Sequence, residues 1–171
     1  DSWLDTRTYW ERLRHAVEEH RFARAGRLSC SAGVASSPRD GLDSTELLAS
    51  AEQALGLKTF AANTALAAAA DVLVLAVKPQ ALKAVTEEIA ATVQKKRPLV
   101  VSIAAGIRID DIERWLGGNL PIVRVMPNTA ALIGSGATGL FANTRVTGAQ
   151  RDAAESILRA VGVTVWVQDE A

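Results

Sequence analysis

Three stretches of this chain are so uniformly apolar that they leave few folds open. They are DVLVLAVK at residues 71–78, PLVVSIAAG at 98–106 and PIVRVMPN at 121–128. A strand with one face in water alternates apolar and polar side chains. These runs hardly alternate and are rich in Val, Ile and Leu, so each is expected to be covered on both faces, as in a parallel sheet between helix layers. The segments between them supply the helices. Residues 80–96 place Leu82, Val85, Ile89 and Val93 on one stripe. Asp110 and Glu113 have capping-box spacing ahead of a short helix that carries Ile112 and Leu116. Thr147 and Gln150 form a second box, before a helix over 148–161 with Ala153, Ala154, Ile157, Leu158 and Val161 inward, and Gly162 is expected to stop it. Residues 134–142 and 163–167 add two more strands. Strands and helices alternating over short connections predict an open, mostly parallel, three-layer α/β sheet.

The first third of the chain reads less sharply. A helix is expected over 8–22, a short strand over 27–35, and a helix over 44–55 opened by Asp43 and Glu46. GLKTF, residues 56–60, reads as a short strand, and Asn63 is placed to cap a brief alanine-rich helix.

Charge and composition exclude several roles. Nineteen basic residues balance nineteen acidic ones, which removes the electrostatic case for nucleic acid or an anionic membrane surface. No run approaches the ~20 apolar residues of a membrane span. The one cysteine, Cys30, lies in an apolar alternating run and reads as a small core residue. His15 and His20 stand five apart and do not share a helix face, so no metal site is expected. A cytoplasmic protein is the expectation.

In open α/β sheets, ligands collect beyond the carboxyl ends of the strands. The first buried strand ends in Ala76, Val77, Lys78, Pro79 and Gln80. The second ends in Ser102, Ile103, Ala104, Ala105 and Gly106, and the third in Met126, Pro127, Asn128 and Thr129. If the three strands are neighbours, their tips line one crevice. Small residues there let a flat ring approach the backbone. Asn128 and Thr129 have groups for a carboxamide, ribose or carboxylate, and Lys78 adds charge. Plainer roles stay open: tight packing for Ala104 to Gly106, a turn cap for Asn128, a solvated side chain for Lys78, and core for Met126. The acidic start at Asp110, Asp111 and Glu113 is read as complementing a helix dipole. One element is missing. A dinucleotide fold opens with a strand, a G-x-G-x-x-G turn and a helix, and nothing before residue 56 matches beyond a single glycine in Ser31–Ala35.

Residues 56–171 closely resemble the N-terminal nucleotide-binding domain of pyrroline-5-carboxylate reductase. The matching segments are ADVLVLAVKPQ at 70–80, LVVSIAAGI at 99–107, VRVMPNTAALIGSGATGL at 123–140 and VGVTVWVQDEA at 161–171. Ala130 departs from the proline usual after MPNT. The resemblance implies a Rossmann-like fold, an NADP or NAD cofactor, and hydride reduction of 1-pyrroline-5-carboxylate to proline. It also implies cofactor-binding roles: Asn63 at the adenosine part, Ala76, Lys78 and Pro79 beside the nicotinamide, Ala104, Ala105 and Gly106 as the floor. Met126, Pro127 and Asn128 are implied close to nicotinamide and pyrroline. No catalytic residue is assigned.

Residues 8–55 resemble the later part of a GGDEF diguanylate cyclase domain, through WERLRHAVEEHRF, SCSAGVA and ASAEQAL. The cyclase signature hairpin and metal-binding aspartates are missing. The change of resemblance near residues 51–56 suggests an engineered chimera, an αβα piece grafted into a reductase fold lacking its usual first strand. On that reading the segments 1–55 and 56–171 form one combined domain. That domain is inactive without the missing pyrophosphate turn and the family's helical C-terminal domain. Association into a homo-oligomer or domain-swapped dimer is expected, with no nucleic-acid or membrane partner.

Overall fold

The structure, a computed structural model, describes Lys58 and residues 60–170. Within these residues the elements run α1 (Asn63–Ala69), β1 (Val72–Leu75), α2 (Pro79–Lys96), β2 (Leu99–Ser102), α3 (Ile109–Trp115) and β3 (Ile122–Met126). A 3-10 turn (Thr129–Ile133), β4 (Gly136–Ala142), α4 (Gly148–Arg159) and β5 (Gly162–Trp166) follow. The expectations for residues 8–55 and for a missing first strand lie outside the described residues, as do Cys30, His15 and His20; of the strand expected at 56–60 only Lys58 and Phe60 are described, and neither is in a strand.

The strands form one sheet in the order β1-β2-β3-β4-β5. β1, β2 and β3 are parallel, with Leu75 opposite Ser102 and Ser102 opposite Arg124. β4 runs antiparallel to β3, with Met126 opposite Gly139, and β5 is parallel to β4. The sheet is therefore mixed, though mostly parallel. The reversal follows from chain length. Parallel neighbours need a crossover of roughly a dozen residues or more. The link from β3 to β4 spans only residues 127–135, so β4 must return in the opposite sense.

Helices cover both faces. On one side Leu82, Ile89 and Val93 of α2 and Ile112 of α3 pack with Leu73, Leu75, Val100 and Ile122 of the sheet. On the other, Ala154, Ile157 and Leu158 of α4 pack with Leu99, Val101, Val123, Val125 and Leu140. Each large side chain so buried stabilises the fold by about 1.5–3 kcal/mol. The arrangement is a three-layer, Rossmann-like α/β sheet. Beyond β3 the α2–α3 side opens. Val163, Val165 and Val167 stand exposed on and just after β5. Among the described residues no helix is long and apolar enough to cross a membrane.

Local chemistry departs from expectation at several points. Pro79 does not end a strand; β1 stops at Leu75, and Pro79 is the first turn of α2, where its missing N–H costs nothing. The buried stripe of α2 takes Thr86 rather than Val85. Thr86 is admissible there because its hydroxyl donates to the carbonyls of Leu82 (2.8 Å) and Lys83 (2.9 Å). The Thr147–Gln150 box forms as expected. The Asp110–Glu113 box does not: the residue before α3 is Arg108, without a side-chain cap, and Glu113 instead accepts the Asn119 N–H at 2.8 Å. Gln94 of α2 donates to the carbonyls of Leu116 (2.8 Å) and Gly118 (2.7 Å), closing the far end of α3.

Gly162 is not a helix stop. α4 ends at Arg159, and Gly162 opens β5 with φ +150°. A Cβ there would lie 2.0 Å from the Gly136 carbonyl oxygen, and one on Gly136 would lie 2.8 Å from the Val161 carbonyl oxygen. Two glycines are needed for β4 and β5 to begin side by side.

Candidate nucleotide-binding trough

The parallel register of β1, β2 and β3 puts their carboxyl ends at one edge of the sheet. The segments at 76–80, 103–107 and 126–129 therefore leave the sheet next to one another, the middle one from β2. The three strands are neighbours, as a common crevice requires, so their tips stand side by side on one rim, the candidate trough. The middle segment is tied to the first by the Ile103 N–H donating to the Leu75 carbonyl at 3.2 Å. It is tied to its own strand by the Ala104 N–H donating to the buried Ser102 hydroxyl at 3.4 Å.

The floor is small and open. Ala76, Ala105 and Gly106 are exposed, and Ala104 is buried beneath them. Gly106 has φ +75° and open space where a Cβ would stand. Such a surface admits a flat ring against the backbone. Lys78 is exposed and Pro79 half-buried at the β1 side. Met126, read as core from its apolar strand, is 53% exposed at the tip of β3. Among the described residues no helix covers that end of the face beyond β3. Pro127 is half-buried and Asn128 exposed.

Asn128 does not cap the turn that follows it. Its side-chain oxygen accepts the Ala137 N–H at 3.1 Å, which fixes the amide against the start of β4. Among the described residues its NH2 has no partner, so it is free to donate into the trough. Asn63 stands apart from these residues. It is the first residue of α1, after Ala62, rather than its cap, and it donates to Glu88 of α2 at 3.0 Å. Glu88 lies nine residues beyond Pro79, roughly 13 Å along the helix.

Two polar clusters escaped the sequence reading. Glu170 sits between α3 and β3: it accepts the Ile109 N–H at 2.7 Å and the Arg124 guanidinium at 3.1 Å. On α4, Glu155 accepts the Trp166 indole N–H at 3.0 Å and the Thr164 hydroxyl at 3.2 Å, and pairs with Arg159 at 2.8 Å. The Trp166 hydrogen bond, with those of Thr164 and the charge of Arg159 and Arg151, outweighs burial and holds the Glu155 carboxyl below its ordinary value. Apart from the i,i+4 spacing of Glu155 and Arg159, neither cluster has a local sequence signature. Among the described residues no group of three His, Cys, Asp or Glu side chains forms a metal site.

A family model described as NADP oxidoreductase, coenzyme F420-dependent, matches residues 21–106, just over half of the chain. The chain belongs to this family. The matched stretch runs unbroken through residues 51–56, where the resemblance to a cyclase fragment stopped. That overturns the GGDEF assignment, and with it the engineered chimera and the inactive recombinant domain. A helix, a strand of small residues and an alanine-rich helix occur in any α/β chain, and their spacing alone did not identify a cyclase.

The pyrroline-5-carboxylate reductase of Pseudomonas aeruginosa is 51% identical over 109 residues, covering 64% of this chain and 40% of that protein. The solved reductase of Coxiella burnetii shares 45% identity with a TM-score of 0.70, covering 73% of this chain and 46% of that one. The Plasmodium falciparum reductase, whose structure has NADP bound, shares 29% identity with a TM-score of 0.61, over 66% of this chain and 42% of that one. The chain thus spans less than half the length of these relatives. The resemblance is to nicotinamide-dinucleotide-type domains of the Rossmann kind.

Proposed function

We propose that this chain is the nucleotide-binding part of a pyrroline-5-carboxylate reductase, using NADPH or NADH to reduce 1-pyrroline-5-carboxylate to proline. The observation that carries the reading is the shared rim at the tips of β1, β2 and β3, in a chain 51% identical over 109 residues to a curated reductase. The 51% identity with a curated reductase favours this substrate over coenzyme F420 chemistry.

The bound cofactor would supply a hydride to the substrate's C=N bond; the protein supplies placement. Ala104, Ala105 and Gly106 hold a flat ring close to the backbone without side-chain obstruction. Ala76 and Pro79 border it on the β1 side, and Lys78 offers an ammonium to an anionic group. Met126 and Pro127 keep water from the opposite border. Asn128, its oxygen fixed by Ala137, donates its amide N–H to a carboxamide or carboxylate. Asn63 stands away from the trough along α2, where the adenosine end of an extended dinucleotide would lie.

NADP is favoured over NAD by the family description and by the cofactor in the Plasmodium relative. The same reading takes the whole chain as one domain of a cytoplasmic protein. Association into a homo-oligomer is supported by the exposed valines of β5. Titration with NADPH, followed through tryptophan fluorescence and by calorimetry, tests the proposal together with an assay of pyrroline reduction. Saturable micromolar binding is expected. No binding at millimolar NADPH would refute it.

A further inference from the structure

Resting on the dinucleotide reading of the trough, we infer that Glu170 is a positioning residue for the trough floor, acting through the turn between β2 and α3. That turn carries Ala104, Ala105 and Gly106. Its middle has little support of its own: Ala105 is exposed, and Gly106 has nothing within 4 Å of its Cβ position. Its place is therefore set by its two ends.

The first end is anchored in the sheet by the Ile103 and Ala104 N–H groups. The second end is Arg108–Ile109, where the residue preceding α3 gives no side-chain cap. Glu170 supplies what is missing. One oxygen of its carboxylate accepts the Ile109 N–H at 2.7 Å and the Arg124 guanidinium at 3.1 Å. The other pairs with the Arg108 guanidinium at 3.7 Å. The Glu170 side chain is 6% exposed and that of Arg124 16%, so the Ile109 and Arg124 contacts are shielded from solvent, while Arg108 is an exposed outer partner. A charge-assisted bond to a backbone N–H is short and directional. Arg124 is on β3, so the same carboxylate fixes α3 against the strand whose tip carries Met126 and Asn128. One group thus ties the far end of the floor turn to the β3 side, where the sheet ladder does not reach. It reaches them from 61 residues away in sequence for Ile109 and 46 for Arg124.

The test compares NADPH affinity of the full chain with those of Glu170→Ala, Glu170→Gln and Gln94→Ala. Gln94→Ala weakens the opposite end of α3 and reports simple loss of stability. Glu170→Ala is expected to raise the Kd about tenfold, and Glu170→Gln, which keeps an acceptor for Ile109, about threefold. Gln94→Ala is expected to leave the Kd within about twofold. Amide hydrogen exchange should speed up at Ile109 and across 103–107 in Glu170→Ala, with partial restoration in Glu170→Gln. Equal Kd values for the parent and both Glu170 variants overturn the inference and leave the dinucleotide reading standing. A Kd raised as much by Gln94→Ala as by Glu170→Ala also overturns it. A parent that binds no NADPH overturns that reading and this inference with it.

Discussion

Replacing Gly162 with alanine should damage this fold more than any other single methyl group added to a described glycine. The new Cβ would lie 2.0 Å from the Gly136 carbonyl oxygen, 2.5 Å from its carbon and 2.6 Å from its nitrogen. All three are backbone atoms, so no rotamer change can relieve the clash. Reaching ordinary contact requires β4 and β5 to part by about 1.4 Å at their paired starts. The Gly136 N–H donates to the Val161 carbonyl at 3.0 Å, and that bond would be lost. Overpacking costs about 1–3 kcal/mol, the left-handed side of φ at +150° a further ~1–3, and the hydrogen bond ~1. The terms overlap, and a total of roughly 3–5 kcal/mol is expected. For a chain of this size that lowers Tm by about 6–20 °C. Guanidinium unfolding and thermal circular dichroism measure it. Gly148→Ala is the control: it sits at the start of α4 with nothing within 4 Å of its Cβ, and should be neutral or slightly stabilising. A Gly162→Ala protein within about 1 kcal/mol of the parent would refute the argument that β4 and β5 must begin in contact.

Asn128→Ala leaves the Ala137 N–H without its partner; it should lose about 1 kcal/mol of stability and raise the NADPH Kd about tenfold, while an unchanged Kd would remove Asn128 from the site. The Glu155 carboxyl is held below its ordinary 4.5, chiefly by the Trp166 indole. Its stabilising effect is therefore present above that ordinary value and lost as pH falls through the lowered one. Denaturant curves taken from neutral to acidic pH should show this loss in the parent and a smaller one in Glu155→Gln, with Trp166 fluorescence moving in step. Gln94→Ala strands two carbonyls at the end of α3 and should cost about 1–2 kcal/mol, read as a shift in unfolding midpoint without change in slope.

The parts of this fold that were legible in sequence are those whose cause is local. Strands β2 and β3 announce themselves because burial on both faces forces continuous apolar runs, whereas β1 carries a similar run although only Leu73 and Leu75 are buried and Val74, on its other face, is 38% exposed. The Thr147–Gln150 box works through residues three apart. The trough followed from those strands and from one general rule about carboxyl ends. What was hidden depends on distant partners. Asp110 and Glu113 have the right spacing for a box, yet α3 starts before Asp110, at Ile109 behind Arg108, and Glu113 turns to the Asn119 N–H. Gly162 looks like a helix stop until Gly136 is brought against it. Met126 looks like core because its strand is apolar, but it is exposed, and among the described residues no helix covers that end of the face. The cyclase-like reading of residues 8–55 failed for the related reason that short strand–helix patterns are shared by unrelated sheets.

The reversal of direction at β4 also gives the rim a boundary on one side. Among the described strands, ends of one polarity run from β1 to β3, two inter-strand gaps, or roughly 10 Å. Past β3 the backbone turns round, and chain starts replace chain ends at the same rim. A guest that reaches across β3 therefore meets strand beginnings in place of strand ends, so the strand polarity works as a ruler on that side before any side chain chooses.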